Sequence, residues 1–367
     1  MKNVKSKENK EEVKLGGNIK IVDIPFKIDG KFAYNEYIGC VAYTILISIW
    51  ALSIFIPIAL SYWFYVGNWL LFYLFLLIIL IPIFFRINDN IPLFLKKLCN
   101  FITKDIHFWT GPARIIIEEP DLDVNDKQLL CIHPHGILGI GSMYLTISGI
   151  INKCFYLIVT ESLVWFQPII NIVLNSAVKL RGASHTSFKN TMIKGEGPLL
   201  MFPGGFHETI LLSWGVDHIY AKKRFGFIKY CLKYNYSIRP VYVFGECLSF
   251  HQLQYFKKFR WFLNDFSLPS VLFCGETWWN PLLPVKNVPY LIVIGRPIVC
   301  CHETNFIDNQ SNDQYPSREL IREYQSLYIE NLKRIYKEYS QYYVEFYRDN
   351  PNIQRYLKCK LAELKID

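Results

Sequence analysis

The feature that most constrains the fold of this chain is a long stretch without charge near its N-terminus. From Tyr37 to Phe85 no residue is charged, a run of 49 residues. At about 1.5 Å per residue, one helix of this length would far exceed the roughly 30 Å apolar core of a bilayer. Aromatic residues at 62–65 are typical of a membrane interface, and Val66-Gly67-Asn68 is typical of a turn. The stretch predicts a transmembrane hairpin with helices at about 38–60 and 69–85, with a buried globular hairpin as the alternative.

The charges that flank this stretch predict its orientation. Eight lysines precede Tyr37, and Arg86, Lys96 and Lys97 follow the second helix. Positive flanks are typical of the cytosolic side of a membrane, so the bulk of the chain is expected in the cytosol. Ten cysteines without a Cys-x-x-Cys pair agree with reduced thiols there. A signal peptide is disfavoured because a long, lysine-bearing polar segment comes first.

The net charge of +9 indicates an anionic membrane surface rather than nucleic acid as the partner. The basic residues are scattered among apolar sequence, and no helix-turn-helix or RNA-binding signature occurs. Residues 91–108 mix apolar residues with lysines, which suits a helix in the headgroup region or an amphipathic core helix. Residues 250–279 combine many aromatic residues with Lys257, Lys258 and Arg260, which suits either a lipid contact or the core.

Short apolar runs alternate with longer segments of helical pattern in the rest of the chain, which predicts an α/β fold with a mostly parallel sheet flanked by helices. The predicted strands are Leu129–Ile132, Phe155–Val159, Leu199–Phe202, Ile238–Phe244 and Leu291–Ile294, and the predicted helices are Ser162–Lys179, Phe225–Tyr234 and Ser317–Tyr342. The expected organisation is a mobile cytosolic segment at 1–36, the hairpin at 37–85, an interfacial linker at 86–128, a catalytic domain at 129–345 and a tail at 346–367.

Two histidines follow the first predicted strand, in the sequence His133-Pro134-His135-Gly136. Strand ends are where chemistry usually takes place in α/β folds. Gly136 permits a tight turn, Pro134 favours an extended His133, and the apolar residues 137–145 suit a helix that begins beside His135. The motif therefore predicts a rigid catalytic corner, although a histidine near a core is often only a hydrogen-bonded polar residue.

A second strand end of the same type supplies a carboxylate. Pro203-Gly204-Gly205 follows the third predicted strand, and His207 and Glu208 come directly after. Because strand ends of a parallel sheet share one crevice, the two corners are expected to meet. Glu246 and Arg296 follow two further strands, and three cations before a predicted helix suit phosphate or a solvated surface. Those cations are Lys222, Lys223 and Arg224.

These corners, in this order and behind an apolar hairpin, resemble the type-2 diacylglycerol acyltransferase family, which includes monoacylglycerol and wax-alcohol acyltransferases. The resemblance extends from the hairpin to about Tyr342. The residues that carry it are 132–139 (IHPHGILG), 203–205 (PGG) with Glu208, 224–227 (RFGF), 241–246 (VYVFGE), 276–278 (ETW) and 293–298 (VIGRPI). The chain departs from the family at the bulky Phe206 and His207, where small residues are common, and at 224–227, where Lys-Gly-Phe is often found.

The resemblance implies a glycerolipid-acyltransferase-like fold and a multi-pass enzyme of the endoplasmic reticulum membrane with its catalytic domain facing the cytosol. A lipid droplet is the alternative location. The implied reaction moves a fatty acyl group from acyl-CoA, the co-substrate, to diacylglycerol. No cofactor or metal is expected. No Gly-x-Ser-x-Gly motif occurs, so direct attack by the acceptor hydroxyl is favoured over an acyl-serine intermediate.

His135 is the expected base, with Glu208 as the carboxylate that orients its ring. His133 is expected to shape the site or bind substrate. Backbone amides near Gly136, Gly204 and Gly205 are candidates for stabilising the oxyanion. The phosphates of acyl-CoA are assigned to Lys222, Lys223 and Arg224, and the remaining motif positions are Pro134, Glu246 and Arg296.

Several alternatives stay open at this point. Monoacylglycerol and long-chain alcohols are alternative acceptors, because each presents a hydroxyl beside an apolar tail. A zinc-dependent lipid hydrolase would use His133 and His135 as ligands, completed by His207 and Glu208. An inactive scaffold on lipid droplets is a third hypothesis. The sequence is compatible with a homo-oligomer but does not predict one.

Overall fold

The fold is described from a computed structural model that places residues 19–24, 32–84, 91–103, 105–120, 127–151, 155–160, 168–265, 270–277, 279–300, 315–358 and 363–367. The predictions for residues 1–18 and 161–167 lie outside these ranges. The helices are α1 (Phe32–Val66), α2 (Trp69–Phe84), α3 (Leu93–Thr103), α4 (His107–Thr110), α5 (Ile140–Ile147), α6 (Pro168–Ala177), α7 (His185–Ile193), α8 (Gly205–Leu211), α9 (Gly226–Tyr234), α10 (Lys257–Asp265), α11 (Arg318–Phe346) and α12 (Pro351–Lys358).

The apolar stretch forms two helices, α1 and α2, joined at the predicted turn of Gly67 and Asn68. Helix α2 has 16 residues and spans about 24 Å, less than a bilayer core. Over the placed residues, no helix has both the length and the apolar character of a membrane span, so the transmembrane hairpin is not confirmed. Part of α1 packs on the rest of the protein, because Tyr43 and Ile47 are buried in a cluster with Trp109 of α4.

The strands are β1 (Ile19–Ile24), β2 (Ala113–Glu118), β3 (Gln128–His133), β4 (Tyr156–Val159), β5 (Lys179–Gly182), β6 (Leu199–Met201), β7 (Val216–Ile219), β8 (Ser237–Phe244), β9 (His251–Gln252), β10 (Phe273–Cys274), β11 (Tyr290–Ile294) and β12 (Glu363–Ile366). Eight of them form one sheet in the order β1-β2-β11-β8-β3-β6-β4-β5. Within this sheet β1 and β2 are antiparallel, as are β11 and β8, and the other pairs are parallel. The predicted mostly parallel sheet flanked by helices is confirmed.

All five predicted strands are present within one residue of their expected bounds, because each is an apolar run that lies in the central sheet. The predicted limits of the catalytic domain, 129–345, leave out two strands of the central sheet. Strand β1 lies inside the supposedly mobile 1–36 segment and β2 inside the linker, yet both belong to the central sheet. The predicted tail also contributes α12 and a strand, β12, that pairs with β7.

Several predicted helices differ at their ends. The first helix of the apolar stretch spans Phe32–Val66 rather than 38–60, and the helix predicted to end at Tyr342 continues to Phe346. The helix predicted from 137 begins only at Ile140, because Gly136 and Gly139 have positive φ and hold a turn before it. The helix predicted to reach Lys179 ends at Ala177, since Lys179 starts strand β5 beside β4. The later start of α5 leaves the His-Pro-His-Gly segment as a loop at the end of the central strand β3.

Candidate active site

Strand β3 carries His133 at its end, in the middle of the sheet. The backbone of His133 is in register with Tyr242 of β8. The side chain of His133 has no exposed surface. The peptide bond between His133 and Pro134 is cis. The strand therefore ends at a fully buried imidazole.

Glu208 reaches this corner from the neighbouring strand. Strand β6 runs parallel to β3, so α8, which follows β6, begins at the same edge of the sheet. The Glu208 carboxylate is 1% exposed and is hydrogen-bonded to three groups. Its Oε1 lies 2.6 Å from His133 Nδ1 and accepts from the Tyr220 amide at 2.9 Å, and its Oε2 accepts from the His135 amide at 2.7 Å. The two predicted corners therefore meet.

This set of donors determines the charge of Glu208. Burial alone would raise the pKa of the carboxyl group, but the nearby His133 and the amides of Tyr220 and His135 together lower the pKa below its ordinary value. Glu208 is therefore a carboxylate. A carboxylate only accepts hydrogen bonds, so His133 donates to it from Nδ1, and Nε2 of the same ring is buried and has no hydrogen-bond partner among the placed residues.

The predicted pairing of Glu208 with the ring of His135 is wrong. The carboxylate binds the ring of His133 and only the backbone amide of His135, because the chain turns between the two residues. The His135 ring is half-buried and contacts Phe202, with the ring centroids 4.5 Å apart and the planes tilted by 45°. Its Nδ1 lies 3.0 Å from the carbonyl oxygen of Gly136. Burial lowers the pKa of His135, so its ring is neutral and Nε2 carries the lone pair when Nδ1 donates to that carbonyl.

Gly136 and Gly204 each lie against a glutamate side chain that leaves no room for a Cβ atom. Gly136 has φ +64°, and a Cβ there would collide with the Glu246 carboxylate; a Cβ on Gly204 would collide with Glu208. Glu246 accepts from the amides of Ile140 and Gly141, each at 3.0 Å, at the start of α5. Burial raises the pKa of Glu246 to about 8 against the lowering effect of these amides.

The Gly205 amide donates to the Phe202 carbonyl at 3.1 Å, so its predicted oxyanion role would require that bond to break. The turn between β6 and α8 uses this hydrogen bond to close. Among the placed residues, the Gly136 and Gly204 amides donate to no backbone carbonyl, so they remain the oxyanion candidates.

The three predicted phosphate-binding cations do not point to one place. The side chains of Lys222 and Lys223 are exposed, just before α9. Arg224 turns towards α8 instead, where its guanidinium donates to Nδ1 of His207 and lies over the ring of Tyr220 at 5.4 Å. Arg296, the other predicted cation, is 55% exposed on its side chain and lies 3.8 Å from Glu119, away from both histidines.

The metal-site alternative is not supported by the side-chain positions. His207 stacks on Tyr220 with ring centroids 4.8 Å apart, and its Nδ1 accepts from Arg224, so it does not join the other two histidines. Throughout the placed ranges, no three His, Cys, Asp or Glu side chains converge as a metal site requires.

Two contributors were not predicted from the sequence. The Tyr220 amide completes the shell of Glu208, and Phe202 forms the wall against the His135 ring. Phe202 precedes the Pro-Gly-Gly motif, so its position at a strand end was a usable signal. A backbone amide carries no signal of its own, and Tyr220 is brought to Glu208 only by the path of strand β7.

Comparisons with known proteins show the family to which this chain belongs. The sequence pattern of the family described as Diacylglycerol acyltransferase matches residues 62–349. The chain is 30% identical over 254 residues to Diacylglycerol O-acyltransferase 2A of Umbelopsis ramanniana, across 64% of this chain and 68% of that protein. It is 27% identical over 245 residues to Diacylglycerol O-acyltransferase 2 of Dictyostelium discoideum, across 62% and 70%.

A similarity of the same order exists to Acyl-CoA wax alcohol acyltransferase 2 of Mus musculus, with 25% identity over 245 residues, across 61% of this chain and 69% of that protein. No solved structure matches the chain. The family match includes both corners of the site and most of the sheet that positions them. The chain therefore belongs to the diacylglycerol acyltransferase family and is an acyltransferase of this type.

Proposed function

We propose that this enzyme transfers a fatty acyl group from acyl-CoA to the free hydroxyl of diacylglycerol, giving triacylglycerol. The acceptor oxygen attacks the thioester carbonyl, the carbon–sulfur bond breaks, and His135 takes the hydroxyl proton and passes it to the departing thiolate. No acyl-enzyme forms. The observation that carries this proposal is the half-buried, neutral His135, whose Nδ1 lies beside a backbone carbonyl and leaves Nε2 as the basic atom.

His133 and Glu208 act as positioning residues in this mechanism. Glu208 contacts the ring of His133 and the backbone of His135, so it fixes the loop that presents the base. Both side chains are completely buried, which supports a role in orientation rather than contact with substrate. The oxyanion would be stabilised by the Gly136 and Gly204 amides, which flank the two glutamates.

The phosphates of acyl-CoA are assigned to Lys222 and Lys223, which are exposed before the first turn of α9. Free backbone amides at a helix start add to the attraction for an anion. Arg224 is nearer the catalytic corner, because it contacts His207 next to Glu208. Its position suits the thioester end of acyl-CoA. Acyl-CoA is a co-substrate in this proposal, and no cofactor is proposed.

Diacylglycerol is the favoured acceptor because the family and relatives in two organisms carry that name. Monoacylglycerol and long-chain alcohols are the alternatives, and the similarity to a wax-alcohol acyltransferase supports the latter. The acceptor hydroxyl and the adjoining apolar tail are common to all three.

The proposed location is the endoplasmic reticulum membrane or a lipid droplet, with the catalytic corner on the cytosolic side. Exposed apolar side chains on α2 and α3 support membrane association: Leu70 is 80% exposed, Phe94 68% and Phe101 69%. Such a surface is unfavourable in water and favourable in lipid.

The test is acyl transfer in microsomes that contain the full chain, with radiolabelled oleoyl-CoA and each acceptor in turn. His135→Ala should lower triacylglycerol formation by about 10²- to 10⁴-fold. The matched control is His185→Ala, an exposed histidine on α7, which should leave the rate unchanged. Normal turnover by His135→Ala protein would exclude the proposed base.

A further inference from the structure

Helix α10 buries polar side chains and exposes aromatic ones, which is the reverse of an ordinary surface helix. Its inward side carries Arg260 and Asn264, which are 2% and 7% exposed, while Phe259 and Phe262 on its outward side are 59% and 55% exposed. Soluble proteins normally bury the rings and expose the charge. The inversion is fixed by Arg260, whose guanidinium donates to the Ser270 carbonyl at 2.7 Å and to the Leu253 carbonyl at 2.8 Å.

The turn before α10 extends the apolar face. Leu253, Tyr255 and Phe256 are 42%, 68% and 76% exposed. Phe256 has φ +53°, a conformation that a bulky residue rarely adopts, and its carbonyl accepts the Arg260 amide at the start of the helix. The strained turn thus points a large ring outward, where water offers it no stabilisation.

Two lysines stand beside these rings. Lys257 and Lys258 are exposed at the first turn of α10, between Phe256 and Phe259. Aromatic rings next to lysines suit the headgroup region of an anionic bilayer, since the rings enter the apolar boundary and the ammonium groups pair with phosphates. We propose that residues 253–262, here named the α10 surface, dock on an anionic phospholipid membrane.

The α10 surface is connected to the catalytic corner through Trp261. This ring packs edge-on against His207 at 4.8 Å and against Tyr220 at 6.0 Å, and the Tyr220 amide donates to Glu208. The consequence for the lipid substrate rests on the proposed function: with α10 on the bilayer, the acceptor enters the site beside α10 without passing through water.

Photocrosslinking of the full chain in microsomes tests the docking. Photoreactive p-benzoylphenylalanine replaces Phe259 or Phe262, one at a time, and the matched control replaces Lys337, an exposed residue on α11. Phospholipid adducts are expected at 259 and 262 but not at 337. Adducts with a second copy of the chain or with another protein, or no lipid adduct at either position, would overturn the proposal.

The anionic preference is tested with the same protein reconstituted in vesicles. The adduct yield at 259 should rise several-fold when phosphatidylserine is added to phosphatidylcholine, and Lys257→Glu with Lys258→Glu should remove that rise. Equal yields in both vesicles would overturn the electrostatic part. Crosslinking needs no turnover, so His135→Ala protein should give the same adducts. The α10 proposal and the reaction can therefore fail independently.

Discussion

The Nδ1 of His133 lies 2.6 Å from Oε1 of Glu208, although the two residues are 75 positions apart in the chain. The same carboxylate accepts the amide of His135 with its other oxygen. One side chain therefore holds both histidines of the motif, the first by its ring and the second by its backbone. The base is positioned by the shape of the loop rather than by a carboxylate on its ring.

Glu208→Gln should weaken the fold as well as the activity. An amide cannot accept from three donors as the carboxylate does, so buried groups lose partners, and the free energy of unfolding should fall by about 1–3 kcal/mol. Thermal unfolding in detergent measures this, with Glu338→Gln on the exposed face of α11 as the control. An unchanged melting temperature would contradict the role of Glu208.

The pH dependence of this effect has a definite sign. The pKa of Glu208 is lowered in the folded state from its ordinary value of 4.5, so its contribution to stability is complete above that value. The contribution is lost as the pH falls below 4.5 and through the folded-state pKa. The difference in stability between wild type and Glu208→Gln should therefore shrink in acid.

His133→Gln and His135→Gln should separate positioning from proton transfer. If His135 is the base, kcat falls in acid because the ring is protonated there. Burial lowers the pKa of His135, so this acid limb of the pH profile lies below the ordinary value of 6.5. His133→Gln should lower kcat but keep the limb, whereas His135→Gln should lose it. The measurement is kcat against pH. A limb that disappears with His133→Gln and persists in His135→Gln would reverse the two roles.

Gly136→Ala should be far more damaging than an alanine at another glycine of the same backbone conformation. Gly149 has φ +74° with open space around its missing Cβ, so Gly149→Ala should cost only about 1–2 kcal/mol of backbone strain. At Gly136 the collision with Glu246 adds to that strain. Thermal unfolding compares the two variants, and Glu246→Ala should partly rescue Gly136→Ala. Equal losses at both glycines would contradict the close contact.

Lys222→Glu with Lys223→Glu should weaken the binding of acyl-CoA specifically. The side chains are exposed and lie outside the hydrogen-bonded shell of Glu208, so KM for acyl-CoA should rise several-fold at low salt while kcat changes little. The control is Lys333→Glu on α11, which makes an equal change in charge per residue at a distant exposed position. A KM that stays at the wild-type value would remove the lysines from the phosphate site.

Local patterns in the sequence determined five of the eight strands of the sheet and both catalytic corners. Each predicted strand is an apolar run that ends at a turn residue. Packing in a sheet stabilises such a run wherever it lies in the fold. Strands β1, β2 and β5 were not predicted, because their apolar residues lie among charged ones. The inverted helix α10 was ambiguous for a similar reason, since its aromatic and basic residues suit either core or surface.

The sequence by itself determined that His133, His135 and Glu208 follow strands whose ends share one edge of a sheet. Only the tertiary structure decided which histidine ring receives the carboxylate. That choice depends on β3 and β6 being neighbours, on the direction in which the chain leaves His133, and on the Tyr220 amide brought in by β7. These are contacts between distant segments, and no local pattern of residues encodes their geometry.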